Sequence, residues 1–235
     1  MIDLSKFTDP YERKARLYPA LICLFPIMIG IAISFPKVFS TLSGLVALAA
    51  AVGLLQFLSH LARDRGKILE PALFEKWGGM PSVTIFRHRD NNIPSPAKLK
   101  YHEILSKISK ISAPSKEFEI QEPNKADEIY ISWSDYLRGK TRDTKKYHLI
   151  FKENINYGFR RNMLGIRWFC VLSAFMGIGL LYIPTFSGSN ISDIVVATTL
   201  LLATYIAIFV FVVKHQWVKI VADAYGKQLV EAINA

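Results

Sequence analysis

The chain has few of the residues that cross-link small domains or bind metal ions. It contains two cysteines in 235 residues, Cys23 and Cys170, and both lie in apolar segments. Neither has a second thiol or a histidine at the spacing of a ligand pair. The sequence therefore predicts neither a disulfide framework nor a bound metal or other cofactor. We expect both thiols to behave as small buried hydrophobic side chains.

Catalytic motifs are also missing from the sequence. There is no glycine-rich phosphate loop, no G-x-S-x-G nucleophile elbow and no H-E-x-x-H zinc motif. His88-Arg89-Asp90 matches the start of a kinase catalytic loop, but Ser95 occupies the position where that loop requires asparagine. The five histidines are scattered, and no two carboxylates form an evident acid–base pair. We therefore expect that the protein is not an enzyme.

Negative charge is scarce, because 19 Asp and Glu stand against 29 Lys and Arg, for a formal net charge of +10. Apolar runs, in contrast, are long, and hydrophobic residues make up 51% of the chain. A helix needs roughly 20 apolar residues to cross the hydrocarbon of a bilayer. Four runs of about this length predict transmembrane helices at about 17–35, 42–61, 164–183 and 194–213.

Particular residues in these runs suggest how the predicted helices pack. Pro26 lies in the middle of the first helix, where a proline frees a carbonyl and should kink the helix unless a neighbour repairs it. The second helix is rich in Gly and Ala between Gly44 and Gly53, which predicts a close packing face. A channel needs polar groups along its lining, and the fourth helix carries the most polar positions deep in any span. These pore-lining candidates are Thr198, Thr199, Thr204 and Tyr205.

Between the two predicted hairpins lies a basic insert, Ala62–Met163, with 20 Lys and Arg against 13 Asp and Glu. Its first part, Ala62–Pro81, is predicted to fold back along the membrane surface and to stop at Gly78-Gly79. Apolar periodicity then predicts helices, and short β-branched runs predict strands. The predicted strands are Ser82–His88 and Phe118–Gln121, and the predicted helices are Ala97–Ile111, Asp127–Leu137 and a long one that starts at Thr141 and continues into the third transmembrane helix.

The predicted fold is a mainly α membrane protein in which two transmembrane helical hairpins, four helices in all, flank a small basic α/β insert. Its parts are a tail and hairpin at 1–61, the insert at 62–163, and a second hairpin with an amphipathic C-terminal helix at 164–235. The short loops within the hairpins hold only Lys37, whereas the termini and the insert hold the other 28 cations. Since cations near helix ends concentrate in the cytoplasm, we expect both termini and the insert to lie there.

The cations of the insert fall into two groups with tyrosines and Trp133 interleaved. Such a surface can follow phosphates with its cations while aromatic rings stack on bases. The alternative is a solvated face attracted to anionic lipids, and charge alone favours this alternative or simple topology. The nucleic-acid-binding candidates are Arg87, Arg89, Lys98 and Lys100 in the first group, and Arg138, Lys140, Arg142, Lys145 and Lys146 in the second.

Two segments, YERKARLYPALICLFPI (Tyr11–Ile27) and LARDRGKILEPALFEKWGGMP (Leu61–Pro81), resemble the membrane effectors of the Hailong antiphage defence system, as does the four-helix plan. The resemblance implies a homo-oligomeric ion channel of the bacterial inner membrane, taken to be a tetramer, whose opening depolarises or kills an infected cell. It also implies a nucleotidyltransferase encoded nearby. A single-stranded DNA oligomer or nucleotide made by that enzyme would hold the channel closed by binding an electropositive trench.

Two other functions stay open on the sequence. One is a non-pore membrane sensor or adaptor whose insert recruits a cytosolic defence effector. The other is a scaffold on a lipid surface. Conductance in reconstituted bilayers separates the channel from both alternatives.

Overall fold

The computed structural model of the chain describes residues 9–39, 41–188 and 190–234. The first eight residues of the tail predicted ahead of the first helix lie outside these ranges. The described residues form ten α-helices with short 3-10 or π turns between some of them, and no strand. The helices are α1 (Tyr18–Ser34), α2 (Thr41–Trp77), α3 (Pro81–Thr84), α4 (Ser95–Ser109), α5 (Lys116–Gln121), α6 (Pro123–Lys140), α7 (His148–Gly165), α8 (Arg167–Tyr182), α9 (Asp193–Phe211) and α10 (His215–Glu231).

Two compact units make up the chain. The first comprises the described residues up to Leu69 together with Gly158–Val218, and the second comprises Glu70–Tyr157 together with the segment from Lys219 onward. Helices α2, α7 and α10 each contribute residues to both units. The C-terminal segment therefore belongs with the insert in one unit, a grouping that the sequence does not predict.

The described residues contain four helical segments that are long and apolar enough to cross a membrane. This finding confirms the predicted set of four spans and supports a multi-pass membrane protein. Their bounds are Glu12–Ser34, which includes α1, Gly44–Trp77, which is most of α2, Arg167–Phe186, which includes α8, and Asp193–Phe211, which is α9.

Helix α2 is much longer than predicted, because it does not end near Leu61 and does not fold back there. It continues to Trp77 through a segment of good helix formers, with Pro71 accommodated inside it. The helix ends where predicted, at Gly78 and Gly79, whose φ angles of 75° and 134° suit glycine. The predicted turn along the membrane surface is therefore wrong.

Around Gly53, the Gly- and Ala-rich part of α2 makes no close contact with other described residues. An added Cβ at Gly53 would have no neighbour within 4 Å. Leu45, Val46 and Phe57 around it are more than 60% exposed. This side of α2 is thus left for lipid or for another copy of the chain.

Close packing occurs instead between α1 and α8. An added Cβ at Gly30 would lie 2.7 Å from the carbonyl oxygen of Gly177, and one at Gly177 would lie 2.8 Å from the carbonyl carbon of Pro26. The two backbones therefore touch, which only glycine permits. These two glycines set the distance between the first and second hairpins.

Helices α7 and α8 form an almost continuous rod, as predicted, although it begins at His148 rather than Thr141. Ile166 interrupts it with φ −108° and ψ 11°. The backbone N–H of Ile166 still donates to Asn162 O at 3.1 Å, and the N–H of Cys170 donates to Ile166 O at 3.1 Å. The interruption is therefore confined to one residue.

The described residues of the second unit form helices joined by loops and no strand, so both predicted strands are wrong. Ser82–His88 begins as the single turn α3, since Pro81 suits a first helical position and the N–H groups of Val83 and Thr84 donate to Met80 O. Phe118–Gln121 belongs to α5, which Ser115 caps by accepting from Phe118 N at 3.1 Å. In Ser82–His88, burial of Val83 and Ile85 in the core outweighs their preference for strands.

The predicted helices of the insert are confirmed as α4 and α6, and they surround an aromatic core. Trp133 and Tyr130 from α6 and Phe86 from the turn after α3 are almost fully buried. Leu229 and Val230 at the end of α10 belong to the same core. The C-terminal segment is helical as predicted, and its apolar face completes the second unit.

Candidate anion-binding surface

The turn between α6 and α7 presents the densest positive charge of the second unit. Helix α6 ends where Thr141 Oγ1 donates to Leu137 O at 2.9 Å. The carboxylate of Asp143 then accepts from the backbone N–H groups of Lys145 and Lys146, at 2.9 and 3.1 Å. Tyr147 follows and is buried in the core. We call residues Lys140–Lys146 the basic turn.

The side chains of the basic turn are exposed. Arg142 and Lys145 make no hydrogen bond or ion pair through their side chains with other described residues. Lys146 Nζ lies 5.1 Å from the centre of the Tyr147 ring, and Lys140 Nζ lies 3.3 Å from Ala232 O. Asp143 is the only acid in the turn, and one oxygen of its carboxylate accepts both backbone N–H groups, so the turn carries four cations against one anion. The turn can therefore offer four cations to an anionic ligand.

Arg138, one helical turn earlier, belongs to the same predicted group but is partly neutralised. Its guanidinium forms an ion pair with Asp135 on the same helix, and both side chains are at least 36% exposed. An exposed pair of this kind contributes little to stability and exchanges readily with solvent or ligand. Arg138 therefore lies beside the basic turn as a weaker contributor.

Two residues of the other predicted group are committed to the fold. Arg87 donates from Nε and Nη2 to the carboxylate of Asp127, at 2.8 and 2.6 Å, and from Nη1 to Gly78 O at 2.6 Å. Lys98 is 3% exposed, and its ammonium donates to the carbonyl oxygens of Arg87 and Asp90. Burial lowers the pKa of Lys98, although Asp90 and Glu119 oppose that change. Neither cation is presented to a ligand.

The remaining two members of that group lie on the surface. Arg89 is 59% exposed, with Nε 3.9 Å from Glu119, and Lys100 is exposed on α4. The structure thus separates the nine predicted cations by role. Arg87 and Lys98 hold the loop between α3 and α4, whereas Arg89, Lys100 and the basic turn are available.

The aromatic residues predicted to stack on bases also divide into buried and exposed members. Trp133 is fully buried in the core and Tyr147 is 9% exposed, so neither offers a ring face to a ligand. Tyr136 on α6 is 40% exposed, and Tyr101 on α4 is partly buried. Tyr136 is therefore the most exposed of these four rings.

A second feature of this unit, which sequence reasoning missed, is a cavity of about 610 Å³ beside a pair of histidines. The rings of His88 and His102 lie 4.9 Å apart, centre to centre. His102 Nε2 lies 2.8 Å from Phe86 O and His88 Nε2 lies 3.0 Å from Pro114 O, so each Nε2 carries the proton. Burial lowers the pKa of His102 to about 4. The sequence holds no signal for this pairing, since the two residues lie on different elements.

The loop that carries His88 is fixed by a buried carboxylate. Glu119 accepts from the N–H groups of His88 and Arg89, at 2.8 and 3.5 Å, and from the hydroxyl of Tyr130 at 2.7 Å. Burial alone would raise the pKa of Glu119, but these hydrogen bonds outweigh it and the pKa is lowered. The ionised carboxylate therefore holds the loop against α5 and α6.

The four pore-lining candidates lie on α9 in the first unit. Thr198 is buried, Thr199 Oγ1 donates to Val195 O at 2.8 Å, and Thr204 Oγ1 donates to Leu200 O at 2.9 Å. The hydroxyl of Tyr205 donates to Ile22 O of α1 at 2.8 Å. Thr204 is the exposed member of the four, so it is the one that another copy of the chain could reach.

Comparison of the chain with protein-family models, with curated protein sequences and with solved structures finds no match.

Proposed function

We propose that the protein is a membrane effector that forms an oligomeric ion channel, and that an anionic single-stranded nucleic acid or nucleotide bound to its basic turn controls the channel. The observation that carries this proposal is the basic turn itself. Four exposed cations lie within seven residues, and a buried tyrosine and an occupied carboxylate fix the backbone that presents them. Membrane orientation depends on the number of cations near the helix ends and does not require a fixed backbone geometry around them.

A link between ligand and membrane is supported by the helices. Helices α2, α7 and α10 run without a long break through residues of both units, so a change at the second unit has covalently continuous helices along which to act. The basic turn directly precedes α7, which is followed by the span α8. In this proposal, both termini and the second unit are cytoplasmic, and the spans lie in the bacterial inner membrane.

The channel in this proposal is built from several copies of the chain, with a tetramer as the simplest assembly taken from the Hailong resemblance. Within one chain, three of the four hydroxyl candidates on α9 are buried or half-buried. The exposed side of α2 around Gly53 and the exposed Thr204 offer surfaces for further copies. A nucleotidyltransferase encoded nearby is the proposed source of the ligand, and anionic lipids would also contact the cations.

The experiment that tests ligand binding is a titration of the purified full-length protein with a labelled single-stranded oligonucleotide over a series of salt concentrations. For single strands, log K should fall with log salt with a slope of about 0.7 per neutralised phosphate, so four contacts give a slope of about 3. Combined Lys145→Glu and Lys146→Glu changes should abolish binding. Lys107→Glu and Lys125→Glu together are the matched control, because both lysines are exposed on the same unit and lie outside the basic turn.

The outcomes separate the candidate functions. Binding that the control pair retains and the basic-turn pair loses supports the proposal. Equal loss of binding in both double variants indicates that only the net charge of the protein attracts the oligonucleotide. If the unaltered protein shows no salt-dependent binding at any strand length, the proposal is contradicted. A non-pore sensor or adaptor that recruits a cytosolic effector is then favoured. Anionic vesicles serve as the lipid comparison, since a lipid surface should not respond to added oligonucleotide.

A further inference from the structure

The only two cysteines of the chain come together inside the membrane unit, although 146 positions separate them in the sequence. Cys23 lies on α1 and Cys170 on α8, and their side chains are 3% and 0% exposed. The two thiols interact with each other, and the thiol of Cys170 also interacts with the hydroxyl of Tyr205. Both cysteines are reduced in the structure.

The backbone around the two thiols supports a covalent link. Cys23 precedes Gly30 by seven residues and Cys170 precedes Gly177 by seven, which is close to two helical turns on each helix. Each cysteine therefore shares a helix face with a glycine at which the two backbones touch. The cysteine pair thus lies on a helix contact at which the two backbones touch, where the short spacing that a disulfide requires can be reached.

We infer that Cys23 and Cys170 form a reversible dithiol–disulfide pair that can join α1 to α8 within the membrane. The oxidant that this site suits is a lipid-soluble quinone, because burial in a membrane span shields the pair from water-soluble reagents. In the reaction, the two S–H bonds break and one S–S bond forms. Both electrons and both protons pass to the quinone, which becomes a quinol. All four species are uncharged, so the interior of the bilayer does not oppose the step.

A disulfide at this position would hold the first and second hairpins together next to the break that Pro26 makes in α1. Gating that requires α1 to move against α8 would then be blocked in the oxidised protein. This functional consequence rests on the proposed channel, whereas the thiol chemistry does not. The two are therefore tested by different readouts.

The test of the site counts free thiols in the full-length protein in membrane vesicles. A short-chain quinone is added, and copper–phenanthroline serves in parallel as a strong membrane-permeant oxidant. The protein is then denatured without reductant and labelled with a maleimide. We expect the number of labels per chain to fall from two to none, to return to two after dithiothreitol, and to leave the chain monomeric on a non-reducing gel.

Cys23→Ser and Cys170→Ser are matched controls, and each should keep one label before and after oxidation. Two labels retained by the unaltered chain with both oxidants overturn the inference, as does loss of a single label or a disulfide-linked dimer. Conductance recorded on the same oxidised samples addresses the channel separately. An intramolecular disulfide with no conductance under any condition would leave the thiol pair established and the proposed function contradicted.

Discussion

The hydroxyl of Tyr205 on α9 donates a 2.8 Å hydrogen bond to the carbonyl oxygen of Ile22 on α1. That carbonyl is the one that would accept from the N–H of residue 26 in a regular helix, and residue 26 is a proline. Tyr205 therefore satisfies the acceptor that Pro26 leaves open. A repair of this kind matters most in a membrane span, because no bulk water is present to replace the missing bond. Through this hydrogen bond Tyr205 links the fourth span to the first, and it is not simply a pore-lining candidate.

Tyr205→Phe should destabilise the first unit by about 1–3 kcal/mol, because it leaves a buried carbonyl without a donor. The measurement is the free energy of unfolding of the purified protein in mixed detergent. Thr204→Val is the control, since the Thr204 hydroxyl bonds only to Leu200 O of its own helix. Equal effects of the two changes would show that the hydrogen bond between α9 and α1 has no special importance.

Gly177→Ala should disrupt the packing of α1 against α8. The new Cβ would overlap the Pro26 carbonyl, which is backbone and cannot move aside without shifting the helix. Overpacking of this kind typically costs about 1–3 kcal/mol. Gly179→Ala changes the same helix two residues later, where an added Cβ meets nothing within 4 Å. The yield of monodisperse protein and its thermal midpoint should fall for the first variant alone.

Arg87→Lys should weaken the second unit, although it keeps the charge. Lysine cannot reproduce the two parallel bonds to Asp127 together with the bond to Gly78 O. We expect a loss of about 1–3 kcal/mol. Hydrogen exchange of the backbone amides in the segment Gly78–Asn92 measures this loss of stability. Arg89→Lys, at a largely exposed side chain, should change stability by less than about 0.5 kcal/mol. Similar exchange in both variants would refute the structural role of Arg87.

The second unit should lose stability as the pH falls below neutrality. His102 has a pKa of about 4 when folded, against an ordinary value of about 6.5 in the unfolded chain. Between these values the unfolded chain binds a proton that the folded chain does not. Stability is therefore complete above about pH 6.5 and declines towards pH 4, by up to ~1.4 kcal/mol per pH unit. Glu119 acts in the same direction at lower pH, because its pKa is lowered on folding.

His102→Gln separates these contributions, since the amide can still donate a hydrogen bond but does not titrate in this range. Hydrogen exchange of α4 at several pH values between 7.5 and 4.5 is the measurement. The slope of stability against pH should be shallower in the variant than in the unaltered protein. Identical slopes would show that His102 is not the titrating group.

Much of the membrane unit could be predicted from the sequence, because run length alone identifies a span. Pro26 predicted a kink in α1 unless a neighbour repaired the helix, and nothing in the sequence identified Tyr205 as that neighbour. The second unit was less predictable. The β-branched residues of Ser82–His88 indicate a strand when taken alone, but Pro81 and the aromatic core favour a helical turn. Local propensity is a weak guide where burial decides the conformation.

The candidate site was predictable only in part, because the local sequence does not show which side chains the fold buries or pairs. Charge marks Arg87 and Lys98 as plainly as it marks Lys145 and Lys146, because the sequence does not show which cations meet carboxylates or carbonyls. Trp133 illustrates the limit for aromatic residues. Its interleaving with cations suggested a stacking ring, whereas its helical spacing from Tyr130 and Leu137 places it on the buried face of α6. The basic turn is distinguished only by the backbone geometry that Asp143 and Tyr147 impose.

Single-channel recording in planar bilayers, with the protein reconstituted in one known orientation, measures whether a ligand on the basic turn controls a pore. We expect discrete conductance that a single-stranded oligonucleotide closes when it is added on the side of the basic turn and leaves open when it is added on the opposite side. Combined Lys145→Glu and Lys146→Glu changes should remove this closure, while Lys107→Glu with Lys125→Glu should preserve it. Absence of any conductance, or conductance that the oligonucleotide does not alter from either side, would contradict a channel controlled at the basic turn.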